Sequence, residues 1–269
     1  MLSPLRVLRR SGAAARPAAR AFSESSNALV GRFYKRALPV DREEGWGVEL
    51  DGRPLRSPQR ALFVAPSESI AVAVGAEWEA QSGVIAPHLM PLTRLAFTAM
   101  DNSAEDRVRG AKELLAYVDT DTVCFRVEMG GRQDALAEAM VETWDPLLAW
   151  AAEAHGAALE TTLGFGVSHP PEAIEALRAY VDGLGSYELA CLDSAVTSAK
   201  SFVIGAALVA GRLAPKEALA ASRLEERHQI ADWGHVEGVD GHDGPEADLG
   251  SRMAAAALMS ELLRMAEAE

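Results

Sequence analysis

Two aspartates separated by one threonine, Asp119 and Asp121, stand in the stretch YVDTDTVCFR, and with Val123 they spell D-x-D-x-V. A first aspartate in that pattern is the residue type for nucleophilic attack on phosphorus, its carboxylate forming an acyl-phosphate. Lys200, and beyond it Asp240 and Asp243, follow in the order in which a magnesium-dependent phosphohydrolase would need a cation and a metal-binding pair. That chemistry requires the nucleophile at the C-terminal end of a buried parallel strand, where the other groups converge. The residues before Asp119 have helical periodicity instead, and the chain after Val127 offers hardly any strand pattern. The competing reading is structural. Asp and Thr side chains bond to nearby backbone amides, which suits them to the joint between a helix ending at Tyr117–Val118 and a strand over TVCFRV. Phosphotransfer through Asp119 is the lesser of the two readings.

Other candidates for chemistry are sparse. Glu225, His228 and Asp232 can share one side of a helix, but no third element supplies the convergent ligands a metal needs. His235, His242 and Asp243 fall in a Gly- and Asp-rich loop, GHVEGVDGHDGPEAD. There is no phosphate-cradling G-x-x-x-x-G-K-[ST] loop and no G-x-S-x-G elbow. LGFGVSHP lacks the strand–glycine loop–helix setting of a dinucleotide site. The expectation is no catalytic residue, no metal and no cofactor.

SRLEERHQIADWG, Ser222 to Gly234, stands apart. At 100° per residue Leu219, Ile230 and Trp233 cluster on one side as a core-facing stripe. Glu226 falls inside that stripe, where an ion pair with Arg223 or Arg227 would lower its cost. Glu225, Gln229 and Asp232 cluster on another side with no buried role. A polar helix face ending in a large aromatic is a form that partner recognition takes, so Glu225, Gln229, Asp232 and Trp233 are the candidate partner-binding residues.

The bulk of the chain narrows the function classes. The 269 residues, nearly half hydrophobic, can bury a sizeable core, and the formal net charge is -13. Residues 1–22 hold five arginines and no acid; setting them aside leaves 21 basic against 39 acidic residues, or -18. So acidic a body does not neutralise phosphates and is no nucleic-acid binder. It suits a basic protein surface. The opening MLSPLRVLRRSGAAARPAARAFSESSN has the Arg-, Ala- and Ser-rich composition of a mitochondrial transit peptide over residues 1–27. The longest strongly apolar stretch, FVIGAALVAG, falls far short of the roughly 20 residues of a membrane span. With only Cys124 and Cys191, neither a disulfide framework nor a cysteine zinc site is expected.

Periodicity places the elements. Residues 32–65 read as β structure, with Asp51-Gly52 as a hairpin signal. A helix follows Ser67 as N-cap, with Ile70, Val74, Trp78 and Gln81 at helical spacing. A short buried helix follows Pro91. Another opens on the capping box Ser103–Asp106, with Val108, Ala111, Leu115 and Val118 on one face. After Gly130-Gly131 the pattern is almost wholly helical: two pieces meeting at Trp144-Asp145-Pro146, then helices over 171–182, 186–211, 215–234 and about 248–266. The fold class is α+β, with a small α+β domain over 28–130 and a helical domain over 131–269.

Strings spread along the chain also resemble one family. GRFYK, DGRPLRSP, AEWEAQ, MPLTRLAFTAMD, YVDTDTVCFR, WDPLLAW and RLEERHQIADWG come in the order and spacing of the mitochondrial ATP synthase assembly factors that chaperone the α subunit of the catalytic head. The similarity runs over roughly residues 31–265. It implies a small α+β domain followed by an orthogonal helical bundle, and a non-enzymatic role in the mitochondrial matrix, holding free α subunits until β subunits replace the chaperone. It also implies that an acid in the late LE…Q…WG segment carries function, which by position is Glu225. The chain departs just after it: Glu226, Arg227 and His228 stand where the family is expected to have an apolar residue, an acid and an aromatic, so Glu225 and Glu226 both stay open for that role.

Overall fold

The computed structural model describes residues 30–131, 133–233 and 243–268, with the side chains of residues 232–233 and 243–245 outside that description. The transit peptide expected over residues 1–27 lies outside the described residues.

A three-stranded antiparallel sheet opens the fold in the order β1 (Ala37–Arg42), β2 (Gly45–Leu50) and β3 (Arg53–Pro54). Ala37 pairs with Leu50 and Arg42 with Gly45. Asp51 and Gly52 make the β2–β3 turn with φ of 50° and 78°. Two successive left-handed residues match the twist of a hairpin, which is why Asp-Gly marks it. Asp51 adds a second role: its carboxylate accepts the amide N–H groups of Lys35 and Arg36 at 2.8 and 3.0 Å, tying the chain before β1 to the turn.

Helix α1 (Glu68–Glu79) packs on this sheet, burying Ile70, Val74 and Trp78 against Val48 and Leu50. Each such side chain contributes about 1.5–3 kcal/mol by leaving water. The Ser67 hydroxyl caps its start, accepting from Ile70 N at 3.4 Å. At its other end the Arg32 guanidinium donates to the carbonyls of Glu79 and Gln81, a cation where the helix dipole favours one. Helix α2 (Pro91–Asp101) takes its cap from α1: the Glu77 carboxylate accepts from Leu92 N, Thr93 N and the Thr93 hydroxyl at 2.7–2.8 Å. Helix α3 (Ala104–Ala116) opens on the expected Ser103–Asp106 capping box. Its inward face differs from the sequence expectation. Leu114 and Val118 are buried, whereas Val108 is 73% exposed.

Where the strand TVCFRV was expected there is a 3₁₀ turn, Thr122–Cys124, which follows another over Val118–Thr120 and leads into a single parallel bridge from Phe125 to Thr162. Asp121 separates the turns and its carboxylate accepts from Val123 N at 3.2 Å, a local bond that holds the backbone out of a ladder.

The rest is helical: α4 (Asp134–His155), α5 (Pro171–Asp182), α6 (Ser186–Ala199), α7 (Phe202–Val209), α8 (Pro215–Ser222), α9 (Leu224–Trp233) and α10 (Asp243–Ala268). Where two pieces meeting at Pro146 were expected, α4 is one continuous helix with Pro146 inside it. Pro146 and Glu142 are both exposed, so the carbonyl that loses its partner faces water and the helix survives. The helix expected over 186–211 breaks at Lys200, whose φ is 54°, and restarts with Ser201 as N-cap. The helix expected over 215–234 breaks at Arg223. There the buried Trp144 indole N–H takes the Ala221 carbonyl at 3.0 Å, satisfying an acceptor at the end of α8. The last helix starts at Asp243, five residues earlier than its periodicity indicated.

Helix α7 is buried along its whole length, apolar all round as a central helix must be. It crosses α6 closely because Gly205 lies against Val196, and α10 packs on α6, α7 and α8. Helix α2 packs on α6 and α10, so the buried residues of the sheet region and of the helices form one continuous hydrophobic cluster.

Candidate functional site

Asp119 and Asp121 do not converge. Asp119 is exposed in the first 3₁₀ turn, while Asp121 is fully buried and points to the start of α7. Its carboxylate accepts from Val203 N at 3.0 Å and is also held by the Ser201 hydroxyl. Burial pushes the Asp121 carboxyl up, with these hydrogen bonds opposing it. Lys200 is exposed, and it is the Lys200 carbonyl that bonds to the Thr122 hydroxyl, at 3.2 Å. Asp240 lies outside the described residues, as does the Asp243 side chain. The sheet is antiparallel, so Asp119 does not occupy the end of a parallel strand that phosphotransfer requires. Asp121 joins two parts of the fold. Among the described residues no three His, Cys, Asp or Glu side chains gather as metal ligands, and no helix is long and apolar enough to cross a membrane.

Helix α9 carries the candidate partner-binding residues. It rests on α4, with Leu224 half-buried against the core cluster. Glu226 forms an ion pair with Arg223, the pairing its place in the apolar stripe called for. Glu246 of α10 takes up the other basic groups, lying 3.0 Å from Arg227 and 3.6 Å from Arg223. The His228 ring lies 3.3 Å from the Leu224 carbonyl one turn back. Glu225 is partly exposed and Gln229 exposed, and no hydrogen bond or ion pair among the described residues engages Glu225. The two adjacent acids are thus in different circumstances: Glu226 is spent within the fold and Glu225 remains available at the surface. The Asp232 and Trp233 side chains lie outside the described residues. Leu219 belongs to α8, so the stripe drawn through Leu219 and Ile230 is interrupted at Arg223.

A chain of contacts leads from the end of α8 back through α4. The Arg126 guanidinium donates to the Met140 carbonyl at 3.0 Å, pairs with Asp145 at 2.9 Å and lies over the Trp144 ring at 5.4 Å. Trp144 in turn holds Ala221 at the α8–α9 junction. The backbone N–H of Arg126 donates at 2.8 Å to the carbonyl of Thr162, in the loop between α4 and α5. That loop, whose LGFGVSHP segment lacks the setting of a dinucleotide site, carries a fully exposed Phe165 between Gly164 and Gly166. A phenylalanine set between two glycines in a stretch without charge, residues 161–168, was the signal available for it.

The comparisons with known proteins agree with this architecture. Residues 31–152 match the model of the ATP12 chaperone protein family. The crystal structure of Atp12 from Paracoccus denitrificans has 34% sequence identity to this chain and a TM-score of 0.78, covering 87% of this chain and 98% of that one. The Atu1473 protein from Agrobacterium tumefaciens has 31% identity and a TM-score of 0.80, covering 92% and 91%. The mitochondrial protein atp12 of Schizosaccharomyces pombe is 28% identical over 242 residues, 86% of this chain and 82% of its own. With the same fold at 34% identity over nearly the whole of an Atp12, this chain belongs to the ATP12 chaperone family.

Proposed function

We propose that this protein is a mitochondrial assembly chaperone that binds the free α subunit of the ATP synthase catalytic head and keeps it soluble until β subunits replace it. Membership of the chaperone family along nearly the full chain carries the reading. The Arg-rich leader over residues 1–27 and the mitochondrial relative support the matrix as its compartment. An unassembled subunit exposes the apolar surface that its neighbour later covers, and binding of the folded form by a chaperone suppresses its aggregation by mass action. Release by β requires an interface that is partly polar rather than fully apolar. The acidic face of α9, with Glu225 unengaged and Gln229 exposed, fits that requirement and would steer association with a basic surface.

Co-expression tests this directly. A tagged form without residues 1–27 is expected to co-purify with the α subunit and raise its soluble fraction. An α subunit that stays in the insoluble fraction, or that is soluble but passes into the column flow-through, would exclude the proposed role.

A further inference from the structure

The loop between α4 and α5 is fixed at its base and bare at its tip. Thr162 exchanges two backbone hydrogen bonds of 2.8 Å with the segment Cys124–Arg126. His169 closes the other side: its Nδ1 accepts from Glu160 N at 3.1 Å, which leaves Nε2–H to donate to the Val118 carbonyl at 3.1 Å. The Thr162 hydroxyl accepts from Gly164 N at 3.0 Å, turning the chain into the tip. Beyond that bond Leu163 is 67% exposed and Phe165 fully exposed, and Met129, three residues past Arg126, is 58% exposed. Residues 161–168 contain no charge in a protein of net charge -13.

We propose that Leu163 and Phe165 form a preformed apolar contact that inserts into an apolar groove of the same protein partner that α9 engages; this rests on the chaperone reading above. Three observations select that occupant. First, nothing in the tip recognises charge, so its complement is apolar, whereas the rest of the surface is acidic; a protein with an apolar groove flanked by basic groups matches both. Second, the loop and α9 are both tied to α4, the loop through Thr162, Arg126 and Trp144 and α9 by direct packing, so the two keep a fixed relation to each other. Third, the anchored base means that little chain entropy is lost on binding, which is what allows a few side chains to carry an interface.

The test uses the tagged protein without residues 1–27, co-expressed with the ATP synthase α subunit. Leu163→Ser and Phe165→Ser are combined in one variant, and in a second protein a photoreactive phenylalanine analogue replaces Phe165. Because both side chains are exposed, the double variant is expected to melt with the wild type while recovering about tenfold less α subunit. The photoreactive protein is expected to cross-link to the α subunit. Wild-type-level recovery by the double variant, or cross-links only to a second copy of this chain, would overturn the inference and leave the chaperone reading standing. Failure of the wild type itself to recover α subunit would overturn the reading beneath it.

Discussion

The Asp121 carboxylate accepts the amide N–H of Val203, 82 residues away in sequence, at 3.0 Å. The second acid of the D-x-D-x-V pattern is thus the cap of a helix it does not belong to. Its second oxygen accepts from Val123, so one buried side chain fixes both the turn before Cys124 and the start of the central helix α7. A helix N-terminus offers unpaired N–H groups and a positive field, and a carboxylate answers both.

Asp121→Asn should therefore destabilise the fold although it preserves size. The amide keeps one acceptor oxygen but turns an NH₂ group toward one of the two backbone N–H donors, leaving a buried donor unmet. The cost is about 1–3 kcal/mol, read from the midpoint and slope of urea unfolding. The pH dependence has a defined sign. Burial raises the folded-state pKa of Asp121 above its unfolded value of 3.8, so the folded state binds the proton more tightly. The wild type should gain stability relative to Asp121→Asn as pH falls through the folded pKa toward 3.8, with no further gain below. A gap that narrows on acidification would contradict the burial of an ionisable group here.

Gly205→Ala should also destabilise, against the usual helix preference. A Cβ at this position would lie 2.6 Å from Cγ2 of Val196, 2.7 Å from its backbone N and 2.9 Å from its Cα. Alanine favours a helix by about 1 kcal/mol over glycine. Overpacking costs about 1–3 kcal/mol, and here it presses on backbone that cannot swing aside. The expected result is a net loss of about 1 kcal/mol and a thermal midpoint lower by a few degrees. Equal or higher stability would mean that α6 and α7 separate freely.

Which parts of this fold could be read from the residues follows from how local their causes are. The Asp51-Gly52 turn, the Ser67 cap and the Ser103–Asp106 box are each decided within a few residues, and each is found where its pattern places it. The strand expected at TVCFRV gives way where Asp121 bonds both to Val123 beside it and to Val203, a partner outside any local window. Pro146 stays within α4 because its freed carbonyl faces water, a matter of tertiary exposure. The breaks at Lys200 and Arg223 likewise carry bonds from distant residues, Thr122 to the Lys200 carbonyl and the Trp144 indole to the Ala221 carbonyl. On α9 the sequence offered Glu225 and Glu226 as equals, and only the Arg223 ion pair separates them. The apolar tip at Phe165 carried no periodic signal, being one residue in a loop.

Both cysteines should be inert in the folded protein. Cys124 and Cys191 are fully buried, and burial pushes each thiol up to about 12 from an ordinary 9.0. The thiolate is the reactive form, so its population at pH 8 is negligible. A disulfide reagent that releases a coloured thiol is expected to titrate neither in the native protein and both in guanidinium. Fast labelling of the native form would show a local opening around α6 or the second 3₁₀ turn.

The last prediction separates the two adjacent acids of α9. Glu226 pairs with Arg223 inside the fold, and Glu225 has no such partner among the described residues. Glu226→Lys replaces an attraction with a repulsion beside Arg223 and should lower stability, by less than about 1 kcal/mol because both groups retain solvent contact. Its effect on α-subunit recovery should be small. Glu225→Lys should do the reverse, leaving the unfolding midpoint in place while recovery in co-expression falls by about tenfold, the size expected when a steering charge is inverted at an interface. Raising the salt concentration should weaken wild-type capture and narrow the gap to Glu225→Lys, since screening removes what the reversal removes. If Glu226→Lys abolishes capture and Glu225→Lys does not, the acidic role belongs to the residue the fold holds, and the contact surface must be redrawn around Arg223.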